Sequence, residues 1–125
     1  MLNSNDFLKN CETLKNKGIE FEIKAGQRIA RGFADLGYEE FYLLPNNKLV
    51  SLFTGKISEL QENHKNFFFV VPTIDDLLTK LALLNIQVEK LLFNDDDQWQ
   101  LTYNNEKYHN NNLYSLLINI LIKNV

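Results

Sequence analysis

Cysteine, arginine, proline and tryptophan are all scarce in this chain. With Cys11 as the sole thiol, no intrachain disulfide can form, and the expected setting is a reducing one, the cytoplasm. Arg28 and Arg31 are the two arginines among thirteen basic residues. Long apolar runs are missing too. The longest, "LYSLLINILI" (113–122), falls far short of the roughly 20 residues that span a bilayer, so no membrane association is expected. The opening "MLNSNDFLKN" has no basic stretch leading into an apolar one, so it does not read as a signal peptide. Positive charge is not in excess either. The formal net charge is −3, which argues against polyanion binding unless the cations cluster.

What is present is the composition of a packed protein. The 125 residues are 45% hydrophobic and 23% charged, enough apolar surface to build a core without cross-links and too much for disorder. The length suits one domain spanning 1–125, with its best seam around 54–66.

Residues 5–17 read as a first helix, capped at Ser4, Asn5 or Asp6 and stopped at Gly18, with Phe7, Cys11 and Leu14 on one face. "IEFEIK" (19–24) alternates apolar and charged residues and predicts a half-buried strand. "AGQRIARGFADLGYEE" carries three of the five glycines and reads as an irregular segment or a short edge strand. "EFYLLPNNKLVSLF" predicts two strands joined by a turn at 45–48, and "TGKISELQENHKN" a loop with one helical turn. "FFFVV" (67–71) is a strand buried on both faces and stopped by Pro72. Thr73 then caps a helix, with Asp76 in a capping-box relation to it. "IQVEKLLF", "QWQLTY" and "EKYHN" follow as strands, and a last helix closes the chain. On that helix Ser115, Asn119 and Lys123 form one narrow polar stripe. The rest is more apolar surface than one sheet face buries. Either the N-terminal elements or a second copy of the chain covers the remainder. The fold class is therefore α+β, a single domain with an antiparallel sheet against about three helices.

The combination of "FFFVVPTIDDLLTKL", a hairpin with tryptophan opening its second strand ("DDDQWQLTY") and a closing apolar helix resembles small uncharacterised proteins of bacterial phages and prophages. The likeness covers about 41–122 and includes "YLLPNNKLVSL" upstream. It implies a compact α+β accessory protein. By analogy with such proteins it implies binding to, and inhibition of, a host protein.

Several constellations are candidates for function. Arg28 and Arg31, three apart in a glycine-rich stretch, suit bidentate contact with a carboxylate or phosphate; the plainer alternative is a pair held internally. Their glycine spacing matches no nucleotide-binding loop, so no cofactor is expected. Asp95, Asp96 and Asp97 read as a solvated turn, as a patch docking a basic partner, or as a cation site. Consecutive ligands without a following glycine oppose the last, and no metal is expected. The acidic turn and the "NNNLY" helix start also oppose nucleic-acid binding. His64 and His109 lie in polar stretches without a nucleophile or further metal ligands, so no catalytic residue is assigned. With exposed Tyr38 or Tyr42, the arginines and aspartates form the expected contact set of a non-enzymatic protein-binding module. The alternatives are a small anionic-ligand binder at Arg28 and Arg31, and an antitoxin or immunity protein.

Overall fold

The computed structural model describes residues 3–32 and 37–125. The chain is α+β, with two antiparallel sheets of five and three strands. It divides into two compact units, Met1–Pro72 and Thr73–Val125. Residues 54–66, expected as the seam, lie inside the first.

The first unit opens with helix α1 (Asn5–Asn16), whose N-cap Ser4 accepts a hydrogen bond from the Phe7 amide. The helix ends in a Schellman motif: the Gly18 amide donates to the Lys15 carbonyl and the Ile19 amide to that of Leu14. Gly18 stands at φ +87°, a left-handed conformation that glycine adopts without a Cβ penalty. Leu8, Cys11 and Leu14 are buried on the inner face.

Residues 19–24 run on without joining a ladder, so the predicted strand is corrected to a segment outside the sheet. Its alternation is nonetheless real. Ile19 is buried, Phe21 and Ile23 are packed against the core, and Glu20, Glu22 and Lys24 are exposed. The reason is local: the Ile19 amide, where a ladder would begin, is already committed to the helix end.

The five-stranded sheet comprises β1 (Arg28–Gly32), β2 (Tyr38–Leu44), β3 (Lys48–Ser51), β4 (Ile57–Glu59) and β5 (Phe69–Val71), in the order β4-β3-β2-β1-β5. β1 is an interior strand, not the irregular or edge segment expected, because β2 and β5 pair on its two sides. The part of that expectation falling on residues 33–36 lies outside the described residues. The β2–β3 turn is as predicted, with Asn46 and Asn47 at positive φ in a short 3-10 turn. β4 and the 3-10 helix Glu62–Phe67 occupy the stretch expected as loop with one turn. One sheet face buries Ile29, Phe41, Leu43, Leu49 and Val70 with Leu60 and Phe68. Each such side chain contributes about 1.5–3 kcal/mol. β5 is an edge, and Lys15 ties down the chain that leads into it: its ammonium donates to the carbonyls of Asn66 and Phe68, each at 2.7 Å.

The second unit runs α2 (Ile74–Leu83), β6 (Lys90–Phe93), β7 (Trp99–Tyr103), β8 (Glu106–Asn110) and α3 (Leu113–Lys123), with the strands in a β6-β7-β8 meander. The capping box at Thr73 and Asp76 is complete in both directions, the hydrogen bonds being 3.1 and 2.9 Å. α2 ends in a second Schellman motif with Asn85 in the glycine position at φ +60°. There the Ile86 amide donates to the Leu81 carbonyl, so the strand expected from Ile86 begins only at Lys90. α3 packs against α2, β7 and β8, and its Leu116, Leu117, Ile118, Ile120 and Leu121 are buried. Among the described residues no helix is long and apolar enough to cross a membrane.

Candidate protein-binding surface

Arg28 and Arg31 are three residues apart on a strand, so they project from opposite faces of the first sheet. Arg28 Nη2 lies 2.9 Å from Glu40 Oε2, and the Glu40 side chain is 1% exposed. The same carboxylate accepts from the Asn3 backbone amide at 2.8 Å and from the Asn3 side-chain amide at 3.2 Å. A carboxylate tolerates such burial when paired with a cation and given further donors. Arg31 Nη2 meets Glu39 Oε1 at 3.2 Å, and its guanidinium lies over the Phe41 and Phe68 rings at 5.3 and 5.4 Å. Each arginine is thus engaged within the chain.

Tyr38 is likewise engaged. Its hydroxyl donates to Glu12 at 2.8 Å, and its ring meets Phe69 edge-on. Burial, then the hydrogen bond and charge of Glu12, push its pKa up to about 12. Tyr42 is more open, 39% exposed, in a cross-strand row with Arg28, Val50 and Ile57.

The aspartates stand in the β6–β7 turn of the other unit. Asn94 organises this turn: its side-chain oxygen accepts from the Asp96 amide at 3.0 Å and the Gln98 amide at 3.1 Å. Asp97 takes the positive-φ position. Asp95, Asp96 and Asp97 are exposed, and among the described residues none of them forms an ion pair. At the base of the turn Phe93 pairs with Trp99, their ring centroids 5.3 Å apart in an edge-on contact. Phe93 is 55% exposed. Three solvated carboxylates beside an exposed aromatic are suited to a segment carrying both positive charge and apolar surface.

No family model, curated protein or solved structure matches this chain.

Among the described residues no group of three His, Cys, Asp or Glu side chains could hold a metal ion. His64 and His109 are exposed, His64 beside Phe67. Cys11 is buried, and desolvation, followed by the charge of Glu40, pushes its thiol up to about 12, which leaves it protonated and inert at neutral pH. Two residues that matter were missed from sequence. Glu40 is the second of two adjacent glutamates in β2, and nothing local marks its burial. Phe93 carried a signal, since it precedes a turn whose far side opens with tryptophan.

Proposed function

We propose that this chain is a non-enzymatic protein-binding accessory protein, of the phage and prophage type that its sequence resembles, which inhibits a host protein by docking on a basic segment of it. The acidic turn carries this reading. Three aspartates whose side chains form no ion pair among the described residues stand at the tip of a hairpin organised by Asn94, with Phe93 at its base. Charges in that setting steer a basic partner and fix its register, while the aromatic supplies the desolvated anchor. Contacts through Arg28, Arg31 and Tyr38 receive less support, because Glu40, Glu39 and Glu12 already occupy them. The same pairing weakens the alternative of an anionic ligand at the two arginines. An antitoxin or immunity role differs only in the partner's identity, and a flanking toxin gene would favour it.

The test is affinity capture from bacterial lysate with the wild type, the variant D95N/D96N/D97N, and Phe93→Ser. The expected result is a partner recovered by the wild type, reduced about tenfold or more by either variant and released by salt. Equal recovery with all three proteins sinks the site.

A further inference from the structure

The five-stranded sheet ends in β5 on one side and β4 on the other, and the two edges differ. β5 is buried along its length, whereas Ile57, Ser58 and Glu59 of β4 are all exposed. Which backbone groups of β4 face outward follows from its ladder. The Ser51 amide donates to the Lys56 carbonyl at 2.9 Å, and the Leu60 amide to that of Asn47 at 2.7 Å. Bonded and non-bonded pairs alternate along an antiparallel ladder. Leu49 with Ser58 is therefore the bonded pair between these two, and Val50 with Ile57 and Lys48 with Glu59 are non-bonded. The N–H and C=O groups of Ile57 and Glu59 point away from the sheet, two donors and two acceptors within three residues.

The side chains here are apolar where an edge is usually protected by charge or proline. Ile57 is 66% exposed and continues the row of Tyr42 and Val50 on one sheet face. Phe53, in the turn between β3 and β4, is 78% exposed. Charge is ordered along the strand. Lys56 precedes it and Glu59 ends it, and among the described residues neither forms an ion pair.

We infer that β4 is a self-association edge, to which a second copy of the chain adds its own β4, antiparallel, about a two-fold axis at Ser58. The pairing uses none of the residues of the acidic turn. In this register Ile57 of one copy lies opposite Glu59 of the other and exchanges both backbone hydrogen bonds with it; symmetry repeats the exchange. All four outward groups of each strand are then used. A shift of two residues brings Gly55 or Gln61 opposite instead, and the Gly55 amide and Gln61 carbonyl are already committed to Ser51 and His64. The antiparallel order sets the Lys56 end of each strand against the Glu59 end of the other, where a parallel partner would set like charge on like. The two Ile57 side chains emerge on one face as diagonal neighbours, so the apolar rows of the two copies meet across the seam. The Glu59 carboxylates form the other diagonal, and Lys48, opposite each on its own β3, offsets their charge. So short a strand buries little area, which makes the dimer weak and dependent on concentration.

Analytical ultracentrifugation of the full chain between about 10 μM and 1 mM tests this. The expected result is a rise from 14.6 kDa towards twice that mass and no further, since the pairing uses up the open edge. A monomer at every concentration overturns the inference and leaves the edge to a strand of some other protein; growth past the dimer overturns it too. Ile57→Glu sets like charges opposite one another and is expected to weaken association about tenfold or more. The double variant I57E/E59K faces glutamate with lysine at both positions and is expected to restore it. Both positions are exposed, so the unfolding curves of the variants are expected to match the wild type. Association of Ile57→Glu at wild-type strength, or no recovery in the double variant, overturns the two-fold pairing.

Discussion

The two units lay helix on sheet with different chemistry. In Met1–Pro72 the packing includes charge: the Glu40 carboxylate is buried, held by Arg28 and Asn3, and close enough to Cys11 to raise its pKa. The buried polar side chains among the described residues, Glu40 and Ser51, both belong to this unit. In Thr73–Val125 the corresponding surfaces are aliphatic, with Leu77 and Leu81 from α2, Leu101 from β7 and five residues from α3. A buried ion pair fixes which groups meet, but it makes stability depend on both partners and on their protonation. An aliphatic seam depends on volume alone.

The largest effect that follows is in the aliphatic seam. Leu101 is wholly buried at the centre of β7. Leu101→Ala is expected to cost about 2–5 kcal/mol in urea unfolding, as for other buried leucines. A loss under about 1 kcal/mol would mean that the site collapses freely, and the contrast between the units would weaken.

Next comes the charged seam. Glu40→Ala removes the buried carboxylate from Arg28 and Asn3, and the usual penalty of about 3–5 kcal/mol for breaking a buried pair is discounted here to about 2 kcal/mol, because the Arg28 side chain is 34% exposed. The double variant R28M/E40M is expected to recover most of that loss. Non-recovery in the same urea experiment would show that Glu40 acts mainly through Asn3 rather than through the ion pair.

The two seams also differ in how far they could be read from residues alone. Local devices were legible, because capping and turn chemistry are written within a few positions. Gly18, the Asn46-Asn47 turn, and Thr73 with Asp76 belong to this class. So was the aliphatic character of α3. Strand pairing was not. "IEFEIK" and "QWQLTY" alternate equally well, yet one joins no sheet and the other is the central strand of a meander. Alternation reports which side of a segment is buried; the ladder partner comes from topology. The same limit applied to the contact residues. That Arg28 meets Glu40 depends on the register of β1 against β2, which no short stretch encodes. The cleft lined by Cys11, Ile19 and Phe69 likewise joins residues more than fifty positions apart and had no local signal.

A smaller effect compares the two helix ends, one in each unit. Both Schellman motifs need a left-handed residue, Gly18 in one and Asn85 in the other. Gly18→Ala places a Cβ in that conformation and is expected to cost about 1 kcal/mol, with no clash added, since nothing lies within 4 Å of the new atom. Asn85→Gly is expected to be neutral or stabilising by a few tenths of a kcal/mol. Opposite signs at the two positions, read from thermal unfolding, would confirm that conformation and not contact governs both. A loss at both would break that equivalence.

The last effect vanishes at neutral pH and belongs to the first unit. The Cys11 thiol is raised from 9.0 to about 12 in the folded chain. Above about pH 9 the unfolded state releases this proton while the folded state still holds it, so unfolding becomes more favourable. The stability from this group is complete below that point and declines as the pH climbs towards 12. Tyr38, raised from 10.0 to about 12, adds to the decline over the upper part of the same window. Unfolding curves between pH 8 and about 11 are therefore expected to fall less steeply for Cys11→Ala than for the wild type, whatever its stability at pH 7. Tyr38→Phe is expected to flatten the curve only above about pH 10. Leu101→Ala lowers the curve without changing its slope, because the seam it disrupts carries no titrating group. A Cys11→Ala slope equal to that of the wild type would mean that the thiol titrates alike in both states, and the distinction between a protonation-dependent and a volume-dependent seam would lose its clearest test.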